Sequence, residues 1–208
     1  KVEYTADLDT NTLDPNLAVE YHQNLPERIK NYLKSDKRGL TNETISEFLI
    51  GWSGKNITIP VFDSKGNLIN IRHRRDPQRS NGPKIWGEKG SKVSLFNIKA
   101  LEIAKKQNAS CVLITEGEFD AMVASQHGFS AVTSTAGAAT FKKEGVKEFE
   151  GIDIIYICYD SDDAGKEGAN KVAELFGARA KIVSLPSNNG KKVDITDYFG
   201  QLKHTKED

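Results

Sequence analysis

The 208-residue sequence predicts an α/β fold: a parallel sheet flanked by helices, preceded by a smaller α+β subdomain with a basic hairpin. Three observations lead there. In the second half, apolar strand-like runs (CVLIT, SAVTS, DIIYICY, AKIVSL) alternate with helical segments at residues 119–127, 140–149 and 163–176, the rhythm of strands joined by helical crossovers. In the first half, NITIPVFDSKGNLINIRHRR reads as two alternating strands around a turn at residues 63–67, where Gly66 supplies the turn's flexibility. Finally, acids follow three of the later strands, and in open α/β sheets functional groups collect at the carboxyl ends of strands.

The elements follow in order. The first fifteen residues are polar and without a clear period, and read as an arm. Residues 18–33 look like one helix. Residues 41–49 look like a short one, with Thr41 or Asn42 as N-cap and Glu43 or Glu47 in support. After the hairpin, DPQRSNGPK is a Pro-, Gly- and Asn-rich loop, expected to be mobile until it binds something. Residues 97–106 form an amphipathic helix, and Gly177 after NKVAELF fits a helix C-cap. The expected organisation is an N-terminal arm and helix over 1–36, a basic α+β subdomain over 37–107, and the parallel-sheet domain over 108–208.

With 29 basic and 29 acidic side chains the net charge is zero, yet the signs are segregated. Arg72, Arg74, Arg75, Arg79, Lys84, Lys89 and Lys92 cluster with His73 in the first half, and the acids gather at strand ends in the second. That layout suits a polyanion lying across the molecule toward a metal site, although the same basic stretch could be a solvated loop. No apolar run approaches membrane-spanning length, and no cationic apolar leader is visible, so no membrane partner and a cytoplasmic location are expected. Cys111 and Cys158 lie in strand-like runs and are expected to be buried thiols in a reducing compartment. Without a CxxC pair, no zinc site is expected on this chain.

The acids form three clusters: Glu116, Glu118 and Asp120 in TEGEFDAM, Asp160, Asp162 and Asp163 in YDSDDAG, and Asp194 and Asp197 in VDITDYF. Asp160 and Asp162 are two apart and share one face of an extended chain. Carboxylates about 5 Å apart repel by ~3 kcal/mol at an effective dielectric of ~20. A divalent cation removes that cost, and all-oxygen ligands suit magnesium or manganese. Glu118 and Asp163 have a plainer explanation at helix N-termini, where acids interact favourably with the dipole. Gly165 and Gly168 do not: each costs up to ~1 kcal/mol relative to Ala inside a helix, and implies close approach of a backbone or ligand.

TEGEFDAM followed by YDSDDAGKEGA resembles the Toprim domain shared by topoisomerases and bacterial-type primases. The flanks RGLTNETISEFLIGWSG, ITIPVFDSKGNLINIRHRR, PKIWGEKGSKVSLFN and KVDITDYF resemble the RNA-polymerase domain of bacterial replicative primases and phage primase–helicases, over roughly residues 37–199. The resemblance implies the core of a DNA primase, making short RNA primers on single-stranded DNA by metal-dependent nucleotidyl transfer. Glu116 would be its catalytic glutamate, and Asp160 and Asp162 its catalytic metal ligands. Asp120, Asp194 and Asp197 would support them, around two Mg2+ or Mn2+ ions. Arg74 and Lys84 would face template or nucleotide phosphates, with Arg72, Arg75, Lys89, Lys92 and Lys166 completing the nucleic-acid-binding set. Implied partners are ribonucleoside triphosphates and a replicative helicase or zinc-binding module, in cis or trans.

The sequence departs from that pattern in three ways. Thr196 stands where primases often carry another Asp, Arg72 and His73 replace glycines of the hairpin strand, and no zinc-binding domain is present. The divergent flanks point to a phage, plasmid or integrated element. Two other readings use the same residues: a Toprim nuclease, and a non-catalytic module that binds single-stranded nucleic acid.

Overall fold

Pro26 divides the first helical stretch. The computed structural model describes residues 12–137, 141, 143–186, 192–202, 204 and 205, and in it α1 (Asn16–Gln23) and α2 (Glu27–Lys34) replace the single helix expected over 18–33. The reason is local: proline has no N–H to donate and disfavours helical geometry in the residue before it, yet it tolerates the start of a helix. Pro26 sits at the N-cap of α2 with ψ 149°. The break lets α1 place Ala18 against Leu68 and Ile71, while α2 buries Ile29 and Leu33 in the main core. The short helix α3 (Asn42–Glu47) is capped by Thr41, whose Oγ1 accepts from the Thr44 N–H at 3.2 Å.

The predicted hairpin is the centre of a larger antiparallel sheet. β2 (Asn56–Phe62) and β3 (Leu68–Arg75) are flanked by β1 (Gly51–Trp52) and β4 (Ile85–Gly87) in the order β1-β2-β3-β4. The outer strands are two and three residues long, too short to show alternation. Asp63 Oδ1 holds the turn by accepting from the Lys65 and Asn67 N–H groups at 2.9 and 2.8 Å, and Gly66 takes φ +83°. Register decides where the arginines go. Ile57 pairs with Arg74 and Ile59 with Arg72, whereas Thr58 pairs with His73, so Arg72 and Arg74 share the inward face with the core isoleucines.

The second sheet contains β5 (Leu95–Phe96), β6 (Cys111–Thr115), β7 (Ala131–Ser134), β8 (Ile154–Cys158) and β9 (Ala180–Ile182), in the order β5-β7-β6-β8-β9. β6 to β9 run parallel and β5 antiparallel to β7. Helices α4 (Ile98–Lys106), α5 (Glu118–Gln126) and α6 (Asp163–Phe176) connect and cover them. Lys143–Phe149 is a 3-10 helix rather than the α-helix expected over 140–149, and residue 140 lies outside the described residues. β9 ends at Ile182, short of the expected 185. It is an edge strand with one partner, and the last ladder bond runs from the Val183 N–H to the Ile157 carbonyl at 2.8 Å. Cys158 is buried, but Cys111, the first residue of β6, is exposed, against the expectation for both thiols. Gly177 does cap α6, with φ 57°. Among the described residues no helix is long and apolar enough to cross a membrane.

One core joins the two sheets: Ile57 and Ile59 of the first pack with Phe96 of the second and with Phe119 and Met122 of α5, which covers it. A separate cluster fills the far side of the parallel sheet around Ile114, Ile155, Ile157, Phe149 and Phe176. From β6 the chain crosses over to β7 on one side and then returns to β8 on the other. β6 and β8 thus flank the topological switch point, where strand carboxyl ends open a crevice. Gly165 lets α6 close on that crevice, because a Cβ there would lie 2.2 Å from the Asp160 carbonyl oxygen. Gly165→Ala is therefore expected to destabilise the fold by ~1–3 kcal/mol or more in urea denaturation. Unchanged stability would mean that the helix and the strand end are not in contact in solution.

Candidate active site

The switch point carries the acids. Glu116 leaves the end of β6 and its Oε2 accepts from the Asp160 N–H at 3.0 Å, tying the ends of β6 and β8 together. Asp162 is the N-cap of α6, its Oδ1 accepting from the Gly165 N–H at 2.8 Å. Its other oxygen pairs with Lys192 Nζ at 2.7 Å, and the same ammonium pairs with Asp160. Burial raises the Asp160 carboxyl above its usual range in spite of Lys192. Asp162, which is partly exposed, is lowered by Lys192 and the Gly165 N–H. Glu116 is raised by burial and by the nearby Asp160, against the Asp160 N–H that stabilises its charge.

Deeper in, Asp120 on the first turn of α5 accepts from the Thr196 hydroxyl at 2.9 Å and the Thr196 N–H at 3.3 Å. Burial, and then the charge of Asp194, push Asp120 up to about 7. Asp194 is itself raised by burial, while its Oδ1 accepts from the Asp197 N–H at 2.6 Å. Thr196 thus supplies donors where another acid would add a further charge. Cys158, close to these acids, is pushed up to about 12, chiefly by burial, which keeps it a thiol.

Facing the acids is a cationic wall. Arg72 Nε donates to Glu118 Oε1 at 2.8 Å, both side chains being largely buried. The guanidinium groups of Arg74 and Arg38 lie 5.0 and 4.8 Å from the centre of the Phe119 ring, and Arg38 Nε donates to the Tyr32 hydroxyl at 2.9 Å. Burial and the proximity of Arg38 lower the pKa of Arg74. The segment bearing Arg38 is held by Gln126 of α5, whose Oε1 accepts from the Thr41 N–H and the Thr44 hydroxyl, both at 2.8 Å. Gln126 Nε2 donates to the Gly39 carbonyl at 2.9 Å. Between wall and acids lies a cavity of about 360 Å³, lined by Arg38, Arg72, Arg74 and Lys84 on one side and by Glu116, Asp120, Asp160 and Asp194 on the other.

Not every predicted residue gathers there. Arg75 donates to the Gly82 carbonyl, and Lys89 and Lys92 are exposed and line no part of this cavity. Lys166 lies 3.8 Å from Asp163 and lines a second cavity of about 550 Å³ with Asp160, Asp162 and Lys192. The loop expected to be mobile is anchored at its first residue, where Arg28 donates to both oxygens of Asp76 at 3.0 and 2.6 Å. Arg72 and Arg74 are not a solvated basic face but are packed against α5. Arg38, Gln126 and Lys192 were not foreseen as site residues. The one available signal was the position of Lys192, two residues before Asp194. Among the described residues no three acidic, histidine or cysteine side chains already converge as a preformed cation site.

Residues 113–199 match the Toprim-like family. Over 174 residues the chain is 29% identical to the DNA primase of Geobacillus stearothermophilus, covering 80% of this chain and 28% of that protein. The chain therefore spans well under half the length of the curated relatives it matches. Among solved structures, the chain is similar in fold to part of the structure of the Aquifex aeolicus primase zinc-binding and RNA polymerase domains. The TM-score is 0.75 at 19% identity, over 89% of this chain and 56% of that one. A DnaG primase catalytic domain bound to single-stranded DNA gives 0.70 at 21% identity, over 89% of this chain and 72% of that one.

Two expectations follow from the buried charges. The stability that comes from a protonated Asp120 is complete below its ordinary value of 3.8 and is lost as pH rises through about 7. In metal-free buffer, Asp120→Asn should lose less stability than the parent between about pH 4 and about pH 8; parallel profiles would show that Asp120 ionises normally. Glu118→Ala leaves Arg72 buried and unpaired and should cost ~3 kcal/mol or more in urea denaturation. The Arg72→Met/Glu118→Leu double variant should recover most of it, and a double variant as unstable as the single would mean that packing, not charge, sets the cost.

Proposed function

We propose that the chain is a member of the Toprim primase family it resembles and the catalytic core of a DNA primase, extending RNA primers on single-stranded DNA by nucleotidyl transfer. The observation that carries this reading is the cavity whose one wall is Glu116, Asp120, Asp160 and Asp194 and whose other wall is Arg38, Arg72, Arg74 and Lys84. Such a cleft pairs groups for divalent cations with groups for phosphates. The residues fit a divalent cation by their chemistry. The donors are all oxygens, as Mg2+ and Mn2+ prefer, and an ammonium already stands between Asp160 and Asp162.

In this reading Glu116, Asp160 and Asp162 would hold the cations, with Asp120 and Asp194 behind them and Asp197 fixing the orientation of Asp194. Bound cations would supply charge stabilisation for the attacking 3′-hydroxyl and the departing pyrophosphate. The chain's own part is positioning. Glu116 links the ends of β6 and β8, so the acids on both strands keep one geometry. Arg74 and Arg38, fixed by Phe119, present positive charge to the triphosphate without needing to reorganise. Lys84, exposed at the mouth, is placed for template or nucleotide phosphates. The location expected for this activity is the cytoplasm, and template selection is left to a helicase or a zinc-binding module.

The test is synthesis on single-stranded DNA with ribonucleoside triphosphates and Mg2+ or Mn2+. Products growing by single nucleotides are expected, and Asp160→Asn or Asp162→Asn should reduce them by more than ~100-fold, beyond what loss of a supporting group brings. Shortened templates would instead identify a nuclease, and binding without either product a non-catalytic module. Lys84→Ala should weaken DNA binding and make its salt dependence shallower by about one unit of slope; an unchanged slope would remove Lys84 from the phosphate path.

A further inference from the structure

We infer that Lys192 is a built-in counter-cation: its ammonium occupies the gap between Asp160 and Asp162 and must be displaced before a divalent cation can be held there. The inference rests on the metal-site reading above and adds what governs entry to that site.

The geometry separates the fixed partners from the movable one. Asp160 is tied to β6 through the bond from its N–H to Glu116, and Asp162 is pinned as the cap of α6 through its Oδ1. Only the second oxygen of each carboxylate faces the ammonium. Lys192 by contrast is half-exposed and reaches the pair on a flexible stem. Its backbone, however, is held next to the acids. The Val193 N–H donates to Ser161 Oγ at 2.8 Å, and the Ser161 N–H donates to the Val193 carbonyl at 3.3 Å. The residue between the two acids is therefore zipped to the residue following Lys192, which keeps the ammonium at high local concentration without burying it.

Such a pair is suited to exchange. A partly solvated ion pair contributes little to stability, while the same single charge opposes any second cation in the gap. A divalent ion brings twice the charge and can use oxygens that the ammonium leaves unsatisfied. The neighbouring cations do not compete for the position: Lys166 lies beside Asp163, and Arg38 and Arg74 are stacked near Phe119.

The experiment is a titration of the whole chain with Mn2+ alone, following free Mn2+ by electron paramagnetic resonance, with melting temperatures measured in chelator and in saturating Mn2+. Lys192→Met is expected to bind Mn2+ about tenfold more tightly than the parent, within the usual range for coupled sites. Its melting temperature should also rise more on Mn2+ addition. Lys192→Arg, which keeps the charge, should bind weakly like the parent. Lys171→Met, which removes a distant exposed charge paired with Glu167, should leave affinity unchanged. If the parent binds Mn2+ and Lys192→Met binds it equally or less tightly, the inference fails and the metal site stands. Equal tightening in Lys171→Met would also overturn it, as a general charge effect. If neither the parent nor Lys192→Met binds Mn2+, both the inference and the metal-site reading fail.

Discussion

Negative charge gathered and half-buried at the carboxyl ends of β6 and β8 is the constraint on which the rest of this architecture depends. Glu116, Asp160 and Asp194 all have raised carboxyl pKa values with burial as the leading cause, so the fold holds these groups where ionisation is costly. Three devices limit the cost. Backbone N–H groups are aimed at Glu116, Asp162 and Asp194. Thr196 offers a hydroxyl and an N–H to Asp120. Lys192 supplies a whole positive charge. None of these is needed to form an α/β sheet. They make sense as the upkeep of a charged site that the sheet's topology places at its switch point.

Much of this was legible in the sequence because it rests on period and chain order. Alternating strands and helices after Cys111 gave the parallel sheet, and acids at strand ends gave the acidic lining of the cavity. What stayed hidden depends on contacts across long sequence separations. Nothing local to Gln126 shows that it reaches residues more than eighty positions away. Nor does the neighbourhood of Arg38 show that its guanidinium shares Phe119 with Arg74. Strands as short as β1 and β4 have no period to read. Pro26 was visible, and its missing N–H marks the break between α1 and α2 that the expectation of a single helix passed over. Gly165 was read correctly as a place of close approach, and the approaching group is backbone, the Asp160 carbonyl.

The cationic half of the cleft illustrates why composition misleads about exposure. Seven basic residues within a short stretch read either as a layout for a polyanion or as a solvated loop. Strand alternation then divided them. Arg72 and Arg74 point into the inter-sheet core with Ile59 and Ile57, while Arg75 lies on the opposite face. The inward pair is accommodated because each arginine finds a partner on α5, a carboxylate for Arg72 and an aromatic ring for Arg74. A buried guanidinium with fixed neighbours is a preorganised positive charge rather than a mobile one, and that distinction matters more for orienting a phosphate than the number of basic residues.

The first turn of α5 is where these separate arrangements meet. Three successive residues reach three different parts of the molecule: Glu118 bonds Arg72 of the antiparallel sheet, Phe119 lies beside Arg38 and Arg74, and Asp120 bonds Thr196 in the last acidic motif. At the other end of the same helix, Gln126 holds the chain between Gly39 and Thr44. One short helix therefore fixes the spacing between the cationic wall and the acids. A shift of that helix would move both walls of the cavity at once, whereas a shift of either sheet alone would be resisted by the buried ion pair and the shared core. The cleft is thus kept at one width largely by its own lining, through Glu118 with Arg72 and Phe119 with Arg38 and Arg74, so the residues that set its chemistry also set its shape.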